Sequence, residues 1–180
     1  DAEGLFLGDG ASLVQIARAG QAVPDGNGQF FTFAYDAPIL NDAGQVAFLA
    51  ALDSPDFNKP TGIYLSDAGR ITPIVESGQA APGGNGTFAS MEHIALSATG
   101  KVSFRGNLTG TSGGTTDNVG VYIGDGAGSV VEIARKGQPG PGSSGTILDL
   151  SRYAPVTNSL GQLAFVAIFQ TGVENGHAVL

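Results

Sequence analysis

The side chains of this chain that could do chemistry are few and scattered. His93 and His177 are its two histidines, and neither has a partner at metal-ligand spacing or in a Ser-His-Asp pattern. The chain has no cysteine, which excludes a thiolate nucleophile, a zinc–thiolate site and a disulfide scaffold. We therefore expect a partly buried histidine at 93, an exposed one at 177, no metal site and no cofactor.

Carboxylates are the other possible source of catalysis, because paired acids hydrolyse glycosidic bonds. Asp36, Asp42, Glu92 and Asp149 fall near predicted strands or their turns, but no constellation of nucleophile, base and orienting group accompanies them. The sequence therefore predicts no catalytic residue and a non-enzymatic protein. Three further aspartates recur in hairpin turns, where Asp is a structural residue: Asp9, Asp67 and Asp125.

The elements that hold these side chains come from a segment that occurs three times. The sequences GLFL, GIYL and GVYI begin at residues 4, 62 and 120, which gives a period of 58 residues. Three more blocks follow in the same order in each copy. We therefore predict a single repeat array with units at residues 4–61, 62–119 and 120–177, and residues 178–180 begin a fourth unit.

Each unit contains four predicted strands, A to D, separated by turns rich in Gly, Pro, Asn and Asp. Strand B of the first unit could pass for a helix, but Pro73 falls inside its second copy and an interior proline breaks a helix. A strand tolerates proline where the unpaired position faces outward, so the predicted fold class is all-β. The predicted strands are A at 4–8, 62–66 and 120–124, B at 12–19, 70–77 and 129–136, C at 30–39, 88–96 and 147–157, and D at 45–52, 101–109 and 162–170.

The turn before strand D has the pattern Asn-x-x-Gly-x-x-Ala-Phe. The first side chain is expected to cap the turn, and the glycine at its fourth position to take a left-handed conformation. The last two residues then enter strand D. The residues of this structural motif are Asn41, Gly44, Ala47 and Phe48 in the first unit, Ser97, Gly100 and Phe104 in the second, and Asn158, Gly161, Ala164 and Phe165 in the third.

This motif resembles that of bacterial tandem-repeat proteins named for the NxxGxxAF pattern, which occur with varied C-terminal surface-anchoring signals. The first and third copies match it fully, whereas the second departs from it at Ser97 and Ser103. The resemblance covers nearly the whole chain. It implies a β-propeller-like bacterial protein that is exported to the cell surface or the extracellular space, and it carries no catalytic residues.

Charge and hydropathy narrow the range of partners. The 180 residues include 16 acidic and 8 basic side chains, a net charge of −8. This acidic balance argues against nucleic acid and anionic membrane as partners. No apolar run approaches the roughly 20 residues of a membrane-spanning helix, so we expect no membrane insertion.

Strand D carries apolar residues on both faces, with Val46 and Phe48 on one and Ala47 and Leu49 on the other. This pattern predicts a sheet that is covered on both sides. We therefore expect three tandem four-stranded antiparallel repeats, packed face to face like β-propeller blades. Propellers close with about four to eight blades, so three units leave two open apolar faces. A β-trefoil, which also has three four-stranded repeats, is the alternative.

These expectations favour a structural or assembly module that joins copies of itself or adjacent repeats into a ring or an extracellular filament. The alternative function is a β-propeller or β-trefoil module that binds surface glycans or another ligand. An aromatic cluster in strand C could stack on sugar rings: Phe30, Phe31, Phe33 and Tyr35. Phenylalanine at alternating positions is, however, more typical of a core.

Overall fold

The protein is built of short antiparallel β-strands joined by tight turns. The computed structural model describes residues 3–26, 28–33, 36–53, 61–126, 128–142, 145–150 and 153–170. Within these residues the strands are β1 (Gly4–Gly8), β2 (Leu13–Arg18), β3 (Gln29–Thr32), β4 (Ile39–Leu40), β5 (Val46–Asp53), β6 (Thr61–Asp67), β7 (Arg70–Glu76), β8 (Thr87–Leu96), β9 (Val102–Thr109), β10 (Val119–Gly124), β11 (Val130–Arg135), β12 (Thr146–Leu150), β13 (Val156–Thr157), β14 (Leu163–Ala164) and β15 (Ala167–Gln170).

The predicted all-β class is confirmed. Helical structure in the described residues is limited to two short 3₁₀ turns, Pro82–Gly84 and Gly114–Thr116. The described residues contain no helix that is long and apolar enough to cross a membrane. His177 and the predicted start of a fourth unit at 178–180 lie outside the described residues.

The sheets do not coincide with the sequence repeats. One sheet has the order β3-β5-β6-β7, with β4 also paired to β5, and the next has the order β8-β9-β10-β11. Each therefore joins strands C and D of one repeat to strands A and B of the following repeat. This grouping differs from the four strands of a single repeat that we expected. The reason lies in the Gly/Pro loop between strands B and C, which carries the chain from one sheet to the next.

The hairpin of strands A and B contains the same bulge in all three repeats. The pairing shifts after Leu5, Ile63 and Val121, so that one isoleucine of each strand B is skipped by the ladder. A bulge of this kind bends the strand and increases its twist. Pro73 lies in β7, the edge strand of its sheet, where the missing N–H removes no hydrogen bond between central strands.

Successive sheets pack face to face, and their side chains form three apolar clusters along the chain. Every residue of β5 from Val46 to Leu52 is buried, as the two-sided apolar pattern predicted. Val46 and Phe48 pack toward β1 and β2. Ala47 and Leu49 pack toward β8 and β9. Both faces of this strand are therefore core.

The terminal repeat is less regular than its two predecessors. Its predicted strand D at 162–170 is interrupted, since β14 pairs with β13 and β15 pairs with β12. Predicted strand C is divided in two repeats, because 147–157 corresponds to the separate strands β12 and β13 and 30–39 corresponds to β3 and β4. In the second repeat, by contrast, Ser103 and Arg105 lie inside β9 and are buried. Polar residues in strand D therefore do not open that face to solvent.

Candidate functional site: half sheets at both ends

The first and last sheets of the described chain each contain half of the strand set found between them. β1 and β2 are strands A and B, and they pair only with each other within the described residues. β12 and β15 are strands C and D, and no described strand A or B pairs with β15. The two end sheets are therefore complementary halves of one C-D-A-B sheet.

The ladder between a strand D and the next strand A, here named the D–A seam, is the centre of each complete sheet. Phe48 pairs with Tyr64 in the β5–β6 seam. Phe104 pairs with Tyr122 in the β9–β10 seam. The register is the same in both, because residues at matching positions of the repeat face each other along the whole ladder.

Three aromatic rings, one each from strands C, D and A, pack together on the D–A seam. The Tyr64 ring lies edge-on to Phe30 at a centroid distance of 5.0 Å. It also stacks on Phe48 at 5.6 Å. Such pairs stabilise a core beyond the area that they bury. The next seam repeats this geometry, with Tyr122 at 4.9 Å from Phe88 and 5.5 Å from Phe104.

A glycine lies two residues before the aromatic residue of strand A because the ring folds back over it. A Cβ atom added to Gly62 would lie 2.6–2.8 Å from atoms of the Tyr64 side chain. One added to Gly4 would lie 2.7 Å from the Phe6 ring. The Gly-x-aromatic pattern is therefore a packing requirement of strand A.

The seam position has an unmatched aromatic residue at one end of the chain. Phe6 stands where Tyr64 and Tyr122 stand in the complete sheets, but its side chain is 51% exposed. At the other end, Ile147 and Phe165 hold the strand C and strand D positions of the same cluster. No aromatic residue of a strand A packs on Phe165 within the described residues. The two ends thus lack opposite parts of one cluster.

The outer face of the last half sheet is apolar and open. Val166 and Ile168 are 61% and 54% exposed. Leu49 and Ala51, at the matching positions of β5, are buried under the following sheet. The side chains on this end face are therefore those that a further sheet covers elsewhere in the chain.

The predicted motif residues form the turns between strands C and D. Asn41 Oδ1 accepts hydrogen bonds from the N–H groups of Ala43 and Gln45 at 3.1 and 3.0 Å. Gly44 has a φ of 78°, in the left-handed region. Asn158 caps its turn through Leu160 N and Gln162 N, and Ser97 Oγ accepts from Thr99 N and Lys101 N. The glycines of the other two turns are also left-handed, with φ values of 80° at Gly100 and 76° at Gly161. The motif residues that enter strand D are buried in the first two repeats, at Ala47, Phe48 and Phe104. In the third repeat Ala164 is exposed and Phe165 is half-buried.

These turns also contact each other from sheet to sheet. Asn41 Nδ2 donates to the carbonyl oxygen of Ser97 at 2.8 Å. The Gln45 carboxamide lies over Gly100, within 3.0 Å of where a Cβ atom would stand. The motif therefore holds successive repeats in register as well as shaping its own turn.

The candidate carboxylates of strand C bind a buried arginine. Arg105 Nη1 donates to Glu92 Oε1 and, at 3.0 Å, to Asn107 Oδ1. Its Nη2 lies 3.8 Å from Asp149 Oδ1. His93, partly exposed, lies 3.8 Å from the other oxygen of Glu92. This arrangement neutralises the buried guanidinium between two sheets, and no cluster of three or more metal-ligating side chains is found in the part of the chain that the structure describes.

The other two candidate acids have local roles. Asp36 Oδ1 accepts a hydrogen bond from Ala37 N at 3.0 Å, and Asp42 is exposed in the Asn41 turn. Among the hairpin aspartates, Asp9 Oδ1 accepts from Ser12 N and Ala11 N, and these bonds hold the pKa of Asp9 below its usual value.

Sequence reasoning missed a carboxyl pair beside the first D–A seam. Tyr64 Oη donates to Glu76 Oε1 at 2.6 Å, and Asp25, from the loop before β3, lies beside the same carboxyl group. Burial raises the pKa of Glu76, and the neighbouring Asp25 raises it further, against the opposing effect of the Tyr64 hydrogen bond. No spacing rule signals this pair, because its members come from different repeats.

In the β8-β9-β10-β11 sheet, the buried Arg135 occupies the repeat position that Glu76 has in the preceding sheet. Arg135 Nε donates to the carbonyl oxygen of Asp117 at 2.6 Å, and Nη2 donates to that of Asn85 at 2.7 Å. A hydrogen bond from Thr111 is the main cause that lowers the pKa of Asp117, with Arg135 a smaller one. Strand B is thus tied to the loop that precedes strand C of the same sheet.

Comparison with known proteins gives one match. The model of a family described as "Family of unknown function (DUF7453)" matches residues 1–178. No curated protein matches the chain, and no solved structure does so.

Proposed function

The chain belongs to DUF7453, a family of unknown function, and from its own geometry we propose that it is a non-enzymatic assembly module. The observation that carries the proposal is the pair of complementary half sheets at its ends. Each half holds the strands that, in the two complete sheets, pair with the strands of the other half. Further copies or adjacent repeats would complete both halves and extend the array.

The propeller-like arrangement belongs to this proposal. We name each C-D-A-B sheet a blade, because four antiparallel strands packed face to face on their neighbours are the unit of a β-propeller. The three apolar clusters between successive sheets support blades over a β-trefoil. A trefoil would surround one shared core with all three repeats.

A non-enzymatic role is supported by how the ionisable groups are used. Arg105 and Arg135 are buried, and their donors go to carboxylates and backbone carbonyls of neighbouring strands and loops. Such saturated networks rigidify a fold, and they direct these two guanidinium groups to partners within the protein. We place the module at the bacterial cell surface, in a ring or an extracellular filament, on the resemblance of its repeats.

The proposal is tested by the mass and shape of the full chain as a function of concentration. Sedimentation velocity and negative-stain electron microscopy should show rings or filaments that grow with protein concentration. Val166→Asp, on the open end face, should reduce assembly at least tenfold, because a charge would be buried at the contact. Val131→Asp is the matched control, since Val131 is 53% exposed but lies on a complete sheet.

Compact monomers at every concentration would contradict the proposal. So would equal assembly of the Val166→Asp and Val131→Asp proteins. A glycan array run on the same samples addresses the alternative function, because saturable sugar binding by a monomer would favour a ligand-binding module.

A further inference from the structure

We propose that Asp25 and Glu76 form a pH-sensitive contact that closes the loop between β2 and β3 onto the end of β7. One proton held between the two carboxyl groups keeps residues 20–26, here named the first B–C loop, in the closed position. Loss of this proton leaves two adjacent carboxylates, whose repulsion releases the loop. This movement occurs within one chain and is independent of the proposed assembly.

The hydrogen bonds at Glu76 determine where the proton lies. Tyr64 Oη donates to Glu76 Oε1 at 2.6 Å, and the Asp25 side chain makes a hydrogen bond to the same carboxyl group. A carboxylate only accepts, so one of the two acids must be protonated for this contact to form. Burial and the neighbouring Asp25 both raise the pKa of Glu76. In the closed state Glu76 is therefore the protonated acid, and its hydroxyl donates to Asp25.

The described residues around the pair supply no positive charge that could replace the proton. A cavity of about 540 Å³ lies beside the pair, bounded by Asp25, Glu76, Ser77, Gln79 and, from the next sheet, Gly128. We therefore expect the pair to separate once Glu76 ionises, and the cavity gives Asp25 the space to move. The charged residues of the neighbouring hairpins line a different cavity, at the opposite end of β6 and β7: Asp67, Arg70 and Asp125.

The second B–C loop, residues 78–84, lacks the carboxyl pair, although equivalent backbone hydrogen bonds close its turn. Gly83 stands at the position of Asp25, and Arg135 at that of Glu76. Arg135 Nη2 donates to the carbonyl oxygen of Asn85 at 2.7 Å, and a guanidinium keeps its charge throughout the physiological pH range. The connection between strand B and the B–C loop is therefore permanent in this sheet and depends on a proton in the preceding one.

The first B–C loop covers part of the aromatic cluster on the first D–A seam. Val23 is 3% exposed and belongs to the same apolar cluster as Phe30 and Tyr64. Its counterpart Ala81 is buried in the next cluster. Release of the first loop would lift Val23 from this cluster and open the turn to solvent, a local opening that leaves the strands paired. Backbone amides of the loop therefore report the state of the carboxyl pair.

The direction of the pH effect follows from the proton that the closed state holds. Because the pKa of Glu76 is raised in the closed state, closing is favoured below that pKa and is lost as pH rises through it. Every unit by which this pKa exceeds that of the open state changes the ratio of closed to open loop tenfold.

Amide hydrogen exchange of the full chain, measured by NMR across this pH range, tests the proposal. The amides to compare are those of Val23 and Gly26 in the first loop and of Ala81 and Gly84 in the second, each of which donates to a carbonyl oxygen of its own loop. From pH 4 to pH 8 the protection factors in the first loop should fall by about fivefold or more, and those in the second should stay constant within about twofold. The midpoint should coincide with the titration of the Glu76 carboxyl carbon.

Two neutral variants are matched controls, because each keeps a hydrogen-bond donor between the two side chains. In Glu76→Gln the amide group donates to Asp25 and the amide oxygen accepts from Tyr64. In Asp25→Asn the new amide donates to the ionised Glu76. Protection of the first loop should be high and independent of pH in both variants. Glu76→Ala, which removes the contact, should give low protection in the first loop at both pH values.

Three results would each overturn the proposal. The first is a first loop whose protection follows that of the second loop at every pH. The second is an equal pH response in the Glu76→Gln protein, because it would place the titrating group elsewhere. The third is protection that rises with pH, which would show that a cation from solution holds the ionised pair together. Since the second loop reports global unfolding in the same sample, the unsubstituted protein alone decides the first and third results.

Discussion

Truncating the motif phenylalanine gives a graded test of how far each seam is completed. Phe48, Phe104 and Phe165 occupy the same repeat position. Phe48 and Phe104 are buried, and each packs against the strand C ring and the strand A tyrosine. Phe165 packs on one neighbouring cluster only. The same Phe→Ala change at these positions should therefore have unequal costs.

The size of each loss follows from what the ring touches. Phe104→Ala leaves a cavity between rings at 5.5 and 5.8 Å, and a fully buried Phe→Ala change costs about 4 to 5 kcal/mol at such a site. Phe48→Ala should match it. For the half-buried Phe165, the transfer contribution is about 1 to 2 kcal/mol in the dilute monomer. In the assembled protein the cost should rise toward that of Phe104→Ala.

Urea unfolding followed by far-UV circular dichroism measures these differences. With an m-value of about 2 kcal/mol/M, the urea midpoint should fall by about 2 to 2.5 M for Phe104→Ala and by about 0.5 to 1 M for Phe165→Ala. The loss of stability relative to the unsubstituted protein should be the same at low and high protein concentration for Phe104→Ala. For Phe165→Ala the loss should be larger at high concentration. Equal losses at all three positions in dilute protein would refute the reasoning, because they would show a seam that is complete without a partner.

Three further predictions address the seams and their polar neighbours. Gly62→Ala should cost about 1 to 3 kcal/mol in urea unfolding, because its Cβ would overlap the Tyr64 side chain, and adding Tyr64→Ala should remove the extra cost of the alanine. Tyr122→Phe should be neutral or stabilising by up to about 1 kcal/mol, because the buried hydroxyl has no hydrogen-bond partner among the described residues, whereas Tyr64→Phe should destabilise by about 1 kcal/mol. Glu76→Gln should raise the melting temperature at pH 7 but not at pH 4. Because the pKa of Glu76 is raised in the folded state, that state binds more protons than the unfolded state, and the stability of the unsubstituted protein falls as pH rises through that pKa. Parallel plots of melting temperature against pH for the two proteins would contradict this.

Most of the strands were predictable because they carry local signals, whereas the predicted strands at 30–39, 147–157 and 162–170 each correspond to two shorter strands. Turn residues such as Gly44 and Asn158 mark the strand ends, and Pro73 excludes a helix for strand B. Polar burial carried no such signal. Arg105 interrupts an apolar strand in the sequence, and its burial depends on Glu92, which becomes its partner only when strands C and D pair.

The grouping of strands into sheets was harder to predict because a repeated order A-B-C-D can be divided at more than one point. The deciding signal was present in the side chains. Strands D and A are apolar on both faces and must be central, while Pro73 marks strand B as an edge strand. The Gly/Pro loops then become the connections between sheets. The Tyr64–Glu76–Asp25 contact stayed hidden for the same reason, since it exists only once sheets span two repeats.

The half-repeat offset has a general consequence for assembly. If each sheet were made from one repeat, an array divided between repeats would end in closed sheets, and only face-to-face packing would join it to others. With the offset, every such division leaves strands C and D on one side and strands A and B on the other. In the proposed assembly, such ends would be complementary, with hydrogen-bonded pairing setting the register of a joint and apolar burial stabilising it. A substitution that perturbs β5–β6 pairing should therefore leave such a joint unchanged, whereas a substitution at Phe6 or Phe165 should weaken the joint and leave the internal seams intact.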